Sequence, residues 1–480
     1  FDDHGHGVHG LVYRVAQGDS GRRLTRYQLS LVPQLAYLQH SSHQRIFQHK
    51  TVPQIIAQVL AEQRVHADQF EFHLSGAYPE REYCVQFGES DLAFIQRLCA
   101  EQGIHYHFQH SPESHLLVFG DDQTVFAQSD QPTPYMPGSG MVADTPAIKR
   151  FAVRLETRTT AVSLRDYDFL KPSLVLESGA VGEQLPRFEE QAYPGYFSDR
   201  PYGKYLAQRG LERHRSDYRI ASGNGDDLAL TSGRFLTLTG HPRDEWNDLW
   251  LVTQVTHEGR QPQVLEEAVT EVAGGDFLQG YRNEFVAAPW DVIFRPPSPE
   301  QSRPTLSGYQ NAVVTGPVDS EIHCDEYGRV KVQFFWDREG QSDDKTTCWM
   351  RVASNWASQS SFGAISLPRI GMEVLVTFLE GDPDQPLVTG CLYHKEHVVP
   401  YDLPANKTRS VFKTLSSPGG GGYNEIRIED KKGEEQIYIH AERDWDENIE
   451  HDQKIRVGNE RHDTVEANSY SEFKAEEHRT

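Results

Sequence analysis

Three histidines open the chain: His4, His6 and His9, in HGHGVH. Histidines two apart on a strand share a face, so a pair of them could ligate one metal ion. A site needs three or four ligands in fixed geometry, and no further ligand is apparent, so no metal is assigned. His105 and His107 in IHYHF repeat the spacing and read as sheet-surface residues. The carboxylates Asp319, Glu321, Asp325 and Glu326 cluster beside a strand-like run. A glycosidase requires two carboxylates facing one bond at a set separation, whereas DEYGR reads as an acid-rich turn. Phe334, Phe335 and Trp336 would serve as stacking platforms for a single-stranded nucleic acid. In an alternating strand they are more simply a core and an interface residue, and Trp349 and Trp356 would fill contacts between subunits. No GxSxG, HExxH or P-loop pattern occurs. The chain is therefore read as a non-enzyme, without catalytic residues, cofactor or metal.

Composition narrows the remaining classes. The chain has 480 residues and a formal net charge of −23. Such acidity repels phosphate backbones, and no Lys/Arg stripe offsets it, so nucleic acid is excluded as a partner. Cys84, Cys99, Cys324, Cys348 and Cys391 include no CxxC pair and are odd in number. They read as small buried hydrophobes of a chain folded in a reducing cytoplasm, not as a disulfide framework. No apolar run approaches the roughly 20 residues that span a bilayer, and no signal peptide is visible, so a soluble chain is expected. The chain begins at Phe1 rather than Met, which reads as an incomplete start.

The elements that position these residues are mostly strands. Residues 1–50 alternate, with Leu24, Tyr27, Leu29 and Leu31 set among polar residues. TVPQIIAQVLAEQ predicts a helix capped by Thr51, with Ile55, Ile56, Val59 and Leu60 on one face. ESDLAFIQRLCAEQG predicts a second, capped by Ser90 and closed at Gly103. Its buried stripe would be Leu92, Ile95 and Cys99, with Phe94 and Leu98 beside it. Strands dominate again from 148 to 290, with a helix at YGKYLAQRGLERHR. FRPPSPEQSRP, residues 294–304, reads as an extended, semi-rigid connector. Residues 305–395 hold five short strands, the pattern of a small Greek-key barrel such as an OB-fold.

The last segment poses a packing problem. In SSPGGGGYNEIRIEDKKGEEQIYIHA, Ile426 and Ile428 alternate with charge on one run, and Ile437 and Ile439 on the next. Residues 420–480 carry nearly twice as many acids as bases and few other apolar residues, among them Ile449, Ile455, Val457 and Val465. An isolated hairpin is marginal in water and leaves its edges unpaired. Three copies wound about a common axis would cover every edge and bring the aliphatic rows together. Ile426, Ile428, Ile437, Ile439, Ile455 and Val457 are accordingly assigned to a trimer axis. The glycine run would turn the chain where barrel hands over to prism.

Several stretches resemble VgrG, the valine-glycine-repeat spike family of the bacterial type VI secretion system, which is similar to contractile phage hub and spike proteins. They are RIFQHKTVPQIIAQVL, FGESDLAFIQRLCAEQGIHYHF, LRDYDFLKPS, LTGHPR, LVTQVTHE, VVTGPVDSEIHCDEYGRVKVQFFWDREG, LPRIGMEVLVTFLEGDPDQPLVTG and SPGGGGYNEIRIEDKKGEEQIYIHAERD. The resemblance implies a mainly β fold with a few helices. Two barrel-type hub domains (1–150 and 151–293), the connector, an OB-fold (305–395) and a glycine-rich neck opening an intertwined trimeric β-prism (396–480) would follow in order. It further implies a homotrimer with a pseudo-sixfold head on a tube of Hcp, a prism capped by a PAAR-repeat protein, and contacts to secretion baseplate components and effectors. Such a spike is made in the bacterial cytoplasm and secreted through the type VI system to the extracellular space or a target cell. The target membrane is pierced rather than bound. The family usually starts before Phe1 and continues past Thr480. An envelope-degrading enzyme of phage-tail origin is the rival, but only residues 394–418 separate the last barrel strand from the glycine run, too few for an inserted lysozyme-like domain.

Overall fold

The computed structural model describes residues 7–20, 25–137, 145–261, 277, 279–297, 303–357 and 362–478. His4, His6, Leu24 and the middle of FRPPSPEQSRP lie outside the described residues. Two compact units emerge, residues 1–394 and 395–480.

The first unit begins with strands β1 (Leu11–Ser20), β2 (Thr25–Val32) and β3 (Ser42–Phe47), then helix α1 (Val52–Glu62). β4 (Phe70–His73), β5 (Cys84–Ser90), α2 (Asp91–Gln102), β6 (His105–His110) and β7 (His115–Gly120) follow. β1 pairs β2, β3 pairs β5, and β4, β7 and β6 form a three-stranded sheet. The next stretch holds β8 (Ala127–Gln128), β9 (Thr133–Pro134), β10 (Ile148–Leu155), β11 (Ala161–Asp166), β12 (Leu176–Val181) and β13 (Glu189–Ala192). After α3 (Arg200–Arg215) come β14 (Arg219–Gly225), β15 (Arg234–Thr239), β16 (Leu249–Arg260) and β17 (Gly280–Pro289). Here β10–β14–β17–β16–β15–β8 run as one sheet, with β9 also on β15, and β12–β11–β13 form another under α3.

Both early helices form for the reasons their sequences give. The Thr51 hydroxyl accepts the Gln54 N–H while the Gln54 side chain accepts the Thr51 N–H, a reciprocal cap. Ser90 caps α2 through the Ala93 N–H, and Gly103 closes it at φ +71°. The predicted stripe of α2 needs correction. Phe94, Ile95, Leu98 and Cys99 are buried, but Leu92 is only partly so, while Asp91 and Arg97 are buried. Asp91 accepts from Arg45 (3.2 Å) and from Gln86 and Gln63 (2.7 Å each). Arg97 donates to Glu89 (2.6 Å), Glu101 (3.1 Å) and the Val85 carbonyl (3.1 Å). Charges can sit in a core when every donor and acceptor is matched, and the matching residues come from β3, β5, the C-terminal cap of α1 and α2 itself.

β18 (Gln310–Thr315), β19 (Lys331–Phe334), β20 (Arg351–Val352), β21 (Glu373–Phe378) and β22 (Pro386–Leu392) form a five-stranded sheet in the order β19–β18–β21–β22–β20. Reciprocal backbone bonds between Val330 and Met350 (2.9 and 2.8 Å) join its two edges and close the barrel. The alternation is as expected: Val330, Val332 and Phe334 point into the core, whereas Phe335 is exposed. The core also takes in Tyr83 and Val85, with Ile46 and Phe87 packed against it. Barrel and β3–β5 ribbon therefore share one apolar core.

The second unit contains β23 (Arg409–Lys413), β24 (Glu425–Glu429) and β25 (Gln436–His440), an antiparallel sheet in that order. Residues 441–478 form no strand and are almost wholly exposed.

Replacing Asp91 with Ala leaves buried donors on Arg45 and Gln86, and a partly buried one on Gln63, without their acceptor. The expected loss is about 3 kcal/mol, read as a lower denaturant midpoint at unchanged slope.

Candidate functional site

The strongest unsatisfied feature of the second unit is one face of the β23–β24–β25 sheet. In-register rows place Phe412 opposite Ile426 and Ile426 opposite Ile439, and Ser410 opposite Ile428 and Ile428 opposite Ile437. Opposed residues share a face, so Phe412 and all four isoleucines line one side. They stay open to solvent in the single chain: Phe412 is 60% exposed, Ile426 49% and Ile437 73%.

The other face is closed by the chain itself. The Tyr401 hydroxyl donates to Glu425 (2.5 Å) and accepts from Arg427 (2.7 Å). Arg409, Lys413 and Arg427 lie over the Tyr401 ring at 4.8, 5.7 and 5.4 Å. Lys413 also covers Tyr423 at 4.0 Å, and Arg427 covers Tyr438 at 4.4 Å. Each such contact is worth about 0.5–1 kcal/mol at an exposed site. The sheet thus has a finished charged-aromatic side and an unfinished aliphatic one.

Ile426, Ile428, Ile437 and Ile439 are brought together, whereas Ile455 and Val457 are exposed in the irregular stretch and join no row. Sequence reasoning missed Phe412. RSVFK is short and has only one apolar residue on that face, so its periodicity carries no signal without its partner strand. The glycine run is also placed differently from the expectation. It lies between β23 and β24, where Gly419 adopts φ +60°, rather than at the end of the barrel.

The other candidate chemistries resolve into structure. Asp325 accepts from the backbone N–H of Tyr327 (3.0 Å) and Arg329 (2.8 Å) and from the Arg329 guanidinium (2.6 Å), which makes DEYGR a turn. Burial works against its charge, but these donors and the Arg329 cation outweigh it and hold the carboxyl below its usual range. Cys84, Cys99 and Cys348 are buried as expected, but Cys324 and Cys391 are exposed in the single chain. Cys324 lies in the irregular stretch before the Asp325 turn and Cys391 near the end of β22. Trp336 stacks on Phe334 at 5.0 Å and meets Phe87 edge-on at 5.5 Å, a packing role. Trp349 is partly buried and Trp356 is exposed. His105 and His107 are not surface residues; both are buried, because β6 turns that face toward Phe126. His9 Nδ1 lies 2.9 Å from His115 Nδ1, and His115 Nε2 accepts the Gln34 N–H (3.0 Å).

In the first unit, two arginines flank the proline-rich stretch and act as pins. Arg295 is fully buried and donates to Glu212 (2.8 Å) and to the carbonyls of Gly103 (2.9 Å) and Asp121 (2.6 Å). Arg303 lies 3.7 Å over the Tyr196 ring and donates to Glu101 (2.9 Å), Asp382 (2.8 Å) and Asp384 (3.2 Å). It so joins α2, the β13–α3 loop and the β21–β22 turn. Burial works against the charge of Glu101, yet Arg303, Arg81 and Arg97 together outweigh it and hold the carboxyl well below its ordinary value. Burial dominates at Asp384 and, with Asp382 beside it, pushes it up to about 6 despite Arg303. A cleft of about 690 Å³ opens here, lined among others by Tyr196, Arg303, Trp349, Arg351 and Asp384. Its carboxylates Glu101 and Asp384 are engaged by arginines or backbone, not poised against a nucleophile.

Replacing Arg303 with Met removes one cation shared by Glu101, Asp382 and Asp384. It is expected to cost about 3–5 kcal/mol and, in calorimetry, to split a barrel transition from that of the remaining first unit.

Three family models match the chain: the phage tail baseplate hub (GPD) at residues 3–263, the type VI secretion system/phage-baseplate injector OB domain at 312–393, and the bacteriophage T4 gp5 C-terminal trimerisation domain at 410–480. The type VI secretion system spike protein VgrG4b of Pseudomonas aeruginosa is 65% identical, over 99% of this chain and 59% of that protein. VgrG5 of the same organism is 62% identical, over 98% of this chain and 60% of its own length. The chain therefore spans about three fifths of these curated relatives. Among solved structures, the E. coli c3393 protein, described as a type VI secretion component similar to phage T4 gp27 and gp5, aligns with a TM-score of 0.56. It is 22% identical, over 80% of this chain and 83% of that one, which is a likeness of fold.

Proposed function

The chain belongs to the phage tail baseplate hub family and to the VgrG spike proteins of type VI secretion, and on that premise we propose that it is one third of a homotrimeric puncturing spike. The observation that carries this reading is the one-sided neck sheet. Its aliphatic face has no cover among the described residues of 395–480, and residues 410–480 match a trimerisation domain. Three such faces meeting at an axis remove about half of each isoleucine's surface from water, on the order of 1 kcal/mol per residue in each copy. The charged-aromatic side then remains outside and wet.

In this reading Ile426, Ile428, Ile437 and Ile439, with Phe412, form the start of the axis. Ile455 and Val457 reach it only when residues 441–478 find strand partners in sister chains. Residues 1–150 and 151–293 are two related hub domains, 294–304 the strap between them and the OB barrel of 305–395, and 396–480 the neck and first turns of the prism. Three chains with two hub domains each present a pseudo-sixfold ring to the Hcp tube. A PAAR-repeat protein caps the far end of the prism, and baseplate components and effectors complete the assembly. The work is mechanical: a spike made in the cytoplasm is expelled through the type VI apparatus and pierces a target envelope. The similarity to proteins named as spikes supports this over an envelope-degrading enzyme.

Aspartate at both Ile426 and Ile437 would put six carboxylates at the axis, each costing several kcal/mol without a partner. Sedimentation of this variant is expected to give the monomer mass where the parent gives three times that value. A variant that stays trimeric with unchanged stability would remove the axial assignment.

A further inference from the structure

β6 carries two histidines that the spike reading does not use. His105 and His107 are two apart, so they share the buried face of the strand, and are 2% and 9% exposed. The His105 ring stacks on Phe126 at 4.3 Å and meets Phe294 edge-on at 6.0 Å; His107 lies 5.1 Å from Phe126. Phe126 and Phe294 belong to one apolar cluster with Phe235 of β15 and Leu251 of β16. The two imidazoles therefore fill the seam between the β4–β7–β6 sheet and the seven-stranded sheet.

The surroundings of the two rings offer no acceptor for a proton on Nδ1. His105 Nε2 lies 3.2 Å from the Asp122 carbonyl, so it bears the hydrogen and Nδ1 is a bare lone pair. The Nδ1 atoms of both rings are buried without a partner. A proton added there would create a cation with an N–H that has nothing to donate to. The surrounding charges give little relief. His107 faces His73 of β4 and Arg234 of β15. His105 faces His107, Asp121 and Asp122. The Asp121 carboxylate already accepts from the Ser75 and Gly76 N–H groups and the Ser75 and Tyr78 hydroxyls. The Asp122 carboxylate caps the Thr124 N–H at 2.8 Å. Arg295, bound to the Asp121 carbonyl, adds a fixed cation to the same seam.

We propose that this seam is an acid-sensitive joint, closed while both imidazoles are neutral and forced open when either ring is protonated. Burial, partly offset by the Asp122 carbonyl, lowers His105 to about 4, and burial with His73 and Arg234 lowers His107 to about 4. A solvated histidine titrates near 6.5, so between these values the open seam binds more protons than the closed one. The joint is at full strength above about pH 6.5 and weakens as pH falls toward about 4.

Two measurements on the full chain test this independently of the spike reading. Histidine C2 hydrogen–deuterium exchange, read by mass spectrometry across pH, is expected to place both rings at least about one unit below a free histidine. Backbone exchange in β6 and β15, corrected for intrinsic rate, is expected to rise at least about threefold from pH 7.5 to pH 5, as local opening becomes easier. The rise should disappear when His105 and His107 are both replaced by Phe. Either ring titrating as a free histidine overturns the proposal without any variant. So does an equal acid response in parent and double variant.

Discussion

A β-sheet has two faces, and the described residues of 395–480 cover only one side of the neck. Tyr401, Arg409, Lys413 and Arg427 close the charged side over Glu425. Nothing among the described residues of residues 395–480 closes the side of Phe412 and the four isoleucines. The register makes the asymmetry complete, because a one-residue slip would put every isoleucine on the charged face. Pairing at Phe412–Ile426–Ile439 and Ser410–Ile428–Ile437 excludes that slip. The unfinished side is a demand for other chains, and the proposed trimer answers it without further elements.

The first unit solves the opposite problem, holding several small layers rigidly together. Apolar area does part of this: Tyr83 and Val85 complete the barrel core from outside the barrel. Buried charge does the rest. Arg295 and Arg303 each join elements far apart in sequence, and both flank a stretch whose composition suggests a spacer. Buried ions are costly unless fully matched, so this arrangement tolerates few alternative geometries.

The histidine seam shows how matching can be conditional. His105 and His107 are compatible with an aromatic pocket only as neutral rings. Arginine pins stay charged across any ordinary pH, while this seam answers to acid. The same head thus contains permanent and proton-dependent joints within a short distance in sequence, at Gly103–His107 and Asp121–Phe126.

Helix caps and strand alternation were legible in the sequence. Thr51 and Ser90 cap their helices, Gly103 ends one, Val330, Val332 and Phe334 face the barrel core, and Ile426 to Ile439 share a face. These depend on periods of 3.6 and 2 and on side chains reaching their own backbone, which neighbouring residues alone settle. Tertiary structure alone decided what each face meets. It buried Asp91, Arg97, His105 and His107, which look like surface residues until the folded chain sets Arg45, Gln86, Glu89 and Phe126 against them. It also added Phe412 to the isoleucine face and turned a proline-rich spacer into a strap with pinned ends. Whether a polar side chain is solvated or buried depends on which partners the fold turns toward it, some just across a turn and others, as at Arg295, far along the chain, and no local period records them.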